Sequence, residues 1–168
     1  MRTRIAVSLA AVCGAAAVFG AGTLASAGGP GAESAQGKRE NRALFAVLTG
    51  KNEIDSNGNR GAGDPDGRGT FSATVDGNQL CFGITVKNID APIAAHIHEG
   101  RKRENGDVVV TLVHPTIGDP GASSGCTMVE DAALVQAILR KPHRYYVNVH
   151  TATFQGGAVR GQLFRRAR

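Results

Sequence analysis

From residue 42 onward the chain alternates apolar and polar residues with a period of two, in short runs. Successive strand side chains point to opposite faces, so this period predicts strands with one covered face. Arg42–Gly50 reads as the first strand. Asn52–Arg68, rich in Asn, Asp and Gly and carrying Asp64-Pro65-Asp66-Gly67, reads as a long loop. Gly69–Val75 and Leu80–Val86 flank Asp76-Gly77-Asn78 as a hairpin. Ile93–His98 and the β-branched Asp107–Val113 are the next strands, joined by a polar connection over Arg101–Gly106. His114–Gly125 reads as a loop. Thr127-Met128-Val129-Glu130 has capping-box spacing, and Leu134, Val135, Ile138 and Leu139 form an apolar stripe, so one helix follows, ended by Pro142. Arg144–Thr151 and Ala158–Phe164 are the last strands, separated by a turn at Gln155-Gly156-Gly157. The fold predicted is all-β: an antiparallel Greek-key β-sandwich with one helix in a late connection.

The first 41 residues lack that period. Arg2 and Arg4 precede an apolar run, Ile5–Phe19, and Ala25-Ser26-Ala27 is a small-x-small site. This is the pattern of an export signal. The expected organisation is a signal peptide over 1–27 cleaved after Ala27, a flexible Gly/Pro/Ser linker over 28–41, and a folded domain over 42–165. The expected localisation is therefore secreted, and no later run is long enough and apolar enough to span a bilayer. Cleavage would remove Arg2 and Arg4 and no acid, lowering the net charge from +5 to +3. That charge and that compartment argue against nucleic acid as a partner. The basic runs, Arg101-Lys102-Arg103 among them, suit solvated surface or contact with an anionic cell-envelope component. Cys81 and Cys126 are the only cysteines beyond the leader, and an even pair in an exported domain predicts a disulfide.

Candidate chemistry is confined to histidines. His96 and His98 lie at i and i+2 of one predicted strand, and Asn148 and His150 at i and i+2 of another. Each pair shares a face. If the strands are neighbours, three imidazoles converge, which suits copper first and zinc second. His114 is a further possible ligand. The alternative is structural: neutral imidazoles that tie strands together through backbone carbonyls. No nucleophile elbow and no phosphate-binding glycine loop is present, and no catalytic residue is assigned.

Leu48-Thr49-Gly50-Lys51-Asn52-Glu53, the Gly-Asp-Pro-Asp-Gly loop, Ala94-Ala95-His96-Ile97-His98 and the block Tyr145–Thr151 with Gly156–Leu163 resemble the CHRD (chordin) domain over about residues 43–164. The family's first motif carries a proline pair where Ile54-Asp55-Ser56 stands here. The resemblance implies an extracellular binding or interaction module, without enzymatic activity, whose partner is an extracellular protein or a cell-envelope component. A looser similarity links His-x-His-Glu and the later Val-x-Val-His to the copper ligands of copper–zinc superoxide dismutases. It implies the alternative of a copper-binding protein with superoxide-dismutase-like redox activity, with His96, His98 and His150 as copper ligands, Arg160 as a substrate-guiding arginine, and a copper-only site, because no zinc-subsite spacing is present.

Overall fold

The computed structural model describes residues 42–166, so the signal-peptide and linker assignments lie outside the described residues. Eight strands form one antiparallel sheet: β1 (Ala43–Thr49), β2 (Arg68–Asp76), β3 (Gln79–Lys87), β4 (Pro92–Glu99), β5 (Val108–Leu112), β6 (Gly121–Met128), β7 (Tyr145–Thr151) and β8 (Val159–Gln162). Their spatial order is β5-β4-β7-β8-β1-β2-β3-β6. The two edge strands approach one another: the Ser123 hydroxyl in β6 donates to the Val113 carbonyl just past β5, at 2.7 Å. The sheet thus curls nearly closed, and around the ring β4, β5 and β6 follow in sequence with β3 beside β6, a Greek-key winding. The expected all-β class with one helix holds. The two layers expected of a sandwich are joined in one curled sheet.

Alternation explains what the ring encloses. Leu44, Ala46 and Leu48 of β1, Phe71 and Ala73 of β2, Phe82 and Ile84 of β3, Ile97 of β4 and Val147 and Val149 of β7 are all buried in one core. Their i+1 neighbours face out. The helix α1 (Ala132–Arg140) adds Val135, Ile138 and Leu139 to that core. It begins five residues after Thr127, the expected start. Asp131 is its cap, accepting from the Ala133 amide at 2.7 Å. Thr127 belongs instead to β6, a strand that the sequence reading placed mostly in a loop. Gly121-Ala-Ser-Ser-Gly-Cys-Thr-Met has little β-propensity of its own and gains its conformation from eight residue pairings with β3.

Within that ladder Cys81 faces Cys126 and the two are bonded. The bridge pins the edge strand β6 across a sequence separation of 45. Chain-entropy reasoning sets its stabilisation at about 4 kcal/mol at most. The paired substitution Cys81→Ser with Cys126→Ser is expected to lower unfolding free energy by about 2–4 kcal/mol, read from the denaturant midpoint. Identical midpoints for the wild type with and without reductant would contradict a stabilising role for the bridge.

Candidate metal centre

Strands β4, β7 and β8 are neighbours, and their register decides what meets on their outer face. Ala94 pairs with His150, His96 with Asn148 and His98 with Tyr146. On the other side of β7, Asn148 pairs with Arg160 and Tyr146 with Gln162. One face therefore carries His96, His98, Tyr146, Asn148, His150, Arg160 and Gln162. The opposite face of the same strands is core.

The three imidazoles come together. Ring centroids are 5.1 Å apart for His96 and His150, 5.5 Å for His96 and His98, and 6.2 Å for His98 and His150. One nitrogen from each lies within 4.8 Å of the others. Three nitrogens bound tetrahedrally at about 2.0–2.1 Å would stand about 3.3 Å apart, closer than that 4.8 Å span, with a fourth position left open. His114 lies outside this group and bonds through Nδ1 to the carbonyl of its own neighbour, Pro115.

Backbone carbonyls set the tautomers. His98 Nδ1 lies 2.9 Å from the Gly106 carbonyl, and His150 Nδ1 2.8 Å from the Gln155 carbonyl. A carbonyl accepts only, so each Nδ1 carries the proton and each Nε2 keeps its lone pair. His150 Nε2 sits 3.1 Å from His96 Nδ1, which must then be the donor. The third nitrogen differs: His98 Nε2 is buried and has no hydrogen-bond partner. Asn148 faces that ring and favours its charged form, yet its buried Oδ1 also lacks a partner. Desolvation holds all three histidines below their ordinary pKa. His96 falls furthest, to about 4, helped by the two neighbouring rings. His98 and His150 are thus neutral imidazoles with N–H groups anchored on carbonyls, the state in which histidine binds metals, whereas His96 donates to His150 Nε2, a bond that must open for that nitrogen to take an ion.

A second polar layer backs the site. The His98 ring stacks on Tyr146 at 4.8 Å and 6°, and the Arg160 guanidinium lies over the same tyrosine, 3.3 Å from its centroid. Arg160 is only 2 % exposed. It donates to Asn105 Oδ1 at 2.9 Å and to the carbonyls of Arg101 and Glu104 at 3.2 and 2.6 Å. Gln162 donates to the Gly100 carbonyl. The connection 100–106 is thus fastened over the outer face, and Arg160 spends most of its donors on that loop.

Glu53 is a residue whose role the sequence did not reveal, although it closes the Leu48–Glu53 motif. It is 2 % exposed, and Oε1 has no partner. Burial raises its pKa from 4.5 to about 8 against the pull of Arg160. Gly157, at φ 138, admits it: a Cβ there would collide with the carboxyl group. The aspartates of the same loop gather no ion-binding group among the described residues. Asp55 instead accepts from the Asn57 and Asn59 amides in its own turn.

The model of the CHRD domain family matches residues 44–163. No curated protein and no solved structure matches the chain.

Glu53 imposes a pH dependence on stability. Its folded pKa lies above the unfolded value, so between about pH 4.5 and pH 8 the folded state keeps a proton that the unfolded chain has lost. Stability from this group is full below pH 4.5 and declines as pH rises through 8, with a slope approaching about 1.4 kcal/mol per pH unit. The wild-type-minus-Glu53→Gln difference in unfolding free energy is expected to fall across that window, in urea titrations at fixed salt. A flat difference would show that Glu53 ionises normally.

Proposed function

We propose, for a chain that belongs to the CHRD domain family, that it is an exported binding module whose chemical task is to hold one late transition-metal ion through His96, His98 and His150. Copper is the first choice and zinc the second. The observation that carries this reading is the convergence itself: one nitrogen from each of three neutral imidazoles lies within 4.8 Å of the others, and the His98 and His150 rings are each fixed by a backbone carbonyl.

The geometry favours holding a metal over turning over superoxide. Copper would supply one-electron chemistry, which zinc cannot. The arginine proposed by resemblance to guide an anion, Arg160, is separated from the histidines by Tyr146 and committed to the loop 100–106. A carrier, a sensor or an adhesive module that uses metal to order its surface fits this arrangement. The partner in that case is an extracellular protein or cell-envelope component.

Metal-free protein titrated with Cu(II) and followed calorimetrically is expected to bind one equivalent. His98→Ala should weaken binding about a hundredfold or more, on the scale of losing one of three nitrogen ligands, while circular dichroism stays unchanged. His114→Ala should leave affinity intact. Absence of saturable binding, or equal loss in both variants, would overturn the reading.

A further inference from the structure

A cavity of about 180 Å³ is lined by Asn52, Arg60, Lys102, Arg103, Arg160 and Gln162. Four of the six are cations, two are amides, and no carboxylate is among them. Arg160 forms the buried wall. Arg60 is held by a 3.2 Å bond to Asn52 Oδ1, and Asn52 in turn donates to the Arg160 carbonyl. The third side is the loop 100–106, whose Arg101 and Glu104 carbonyls are drawn onto Arg160. Arg103, at the turn of that loop, has φ 73, a left-handed conformation rare for a residue with a Cβ. Such backbone persists where surrounding contacts over-determine it, and it recurs at ligand clamps. Arg160 is itself compensated by Asn105 and two carbonyls of the loop, so it holds the wall in place, and the cations that face a ligand are the exposed Arg60, Lys102 and Arg103.

Three of the four cations, Arg60, Lys102 and Arg103, are exposed and screened from one another by water, and an anion entering the hollow gains attraction from all of them. The hollow is well below the 300–1,000 Å³ or so of pockets that take drug-sized ligands. Guanidinium forks match the oxygens of tetrahedral oxyanions, so Arg60, Lys102 and Arg103 supply the donors, while Gln162 Nε2 is already spent on the Gly100, His143 and Tyr145 carbonyls. We propose that this cavity, lined by Arg60, Lys102, Arg103 and Arg160, is a binding site for a single phosphate group. The phosphate is either the free ion or a unit of an anionic polymer whose chain continues past the exposed Lys102 and Arg103. The site is independent of the metal reading, since no histidine lines it.

The test uses the full chain, freed of metal by chelation, at low salt. Two probes are titrated by nitrogen-correlated NMR: inorganic phosphate and a short glycerol-phosphate oligomer. Saturable shifts are expected at the Asn52 and Gln162 side-chain amides and at the backbone of 101–105. The pair Lys102→Glu with Arg103→Glu should weaken binding about tenfold or more, the scale of losing charge-assisted contacts. The pair Arg140→Glu with Lys141→Glu, an equal charge change elsewhere, should weaken it less than about twofold, as general screening requires. Binding of the free ion alone assigns the site to soluble phosphate, and tighter binding of the oligomer assigns it to a polymer. Equal losses in the two variants, shifts spread over all basic runs, or no saturation with either probe would overturn the proposal.

Discussion

The guanidinium of Arg160, buried against the face of Tyr146, is the contact on which the outer surface of β4, β7 and β8 depends. A cation that is 2 % exposed is tolerable only with full compensation. Here the compensation comes from the ring, from Asn105 and from two carbonyls of the connection after β4. Satisfying the charge therefore fastens the loop. With the loop fastened, the Gly106 carbonyl stands where it fixes the His98 ring, and the Gly106 amide points at the Tyr146 hydroxyl. Lys102 and Arg103 are brought beside Arg60 by the same constraint. One buried charge thus ties the same loop both to the His98 ring and to the cationic hollow.

The polar layer is unusual in being covered. A single-layer antiparallel sheet commonly leaves one face to water. In β7 both faces are buried: Val147 and Val149 lie in the core, Tyr146 lies between the His98 ring, Arg160 and the Gly106 amide, and Asn148 lies between His96 and Arg160. Low dielectric there keeps the imidazoles neutral, raises Glu53 to about 8, and leaves Glu53 Oε1, His98 Nε2 and Asn148 Oδ1 without partners. Three orphaned atoms beside one another's elements cost stability. They lie on this face and not in the apolar barrel interior.

Strand positions were legible because alternation is a local property. The seven strands read from periodicity all exist, with ends shifted by a residue or two. The eighth, β6, was hidden because Gly, Ser and Ala at an edge carry no apolar rhythm, and only its ladder to β3 makes it a strand. Its displacement of the helix start from Thr127 to Asp131 follows from the same pairing. At the candidate centre, the shared faces of His96 with His98 and of Asn148 with His150 were readable from i, i+2 spacing. The burial of Arg160 was not: an arginine in an alternating strand is ordinarily an exposed one. Nor was Glu53, a loop residue 107 positions from Arg160 along the chain.

The sequence by itself determined which residues are strands and which side chains share a face, because a period of two is enforced by the backbone of each strand alone. It also determined that two cysteines were available to pair. Tertiary structure decided that β4 lies beside β7, in the register that sets Ala94 against His150, and that β8 lies on the other flank. Strand neighbours are chosen by burial of the whole core and by closure of the ring, which no local pattern encodes. The tautomers, the depressed histidines and the buried arginine follow from those neighbours, since desolvation and carbonyl placement exist only after the chain has folded.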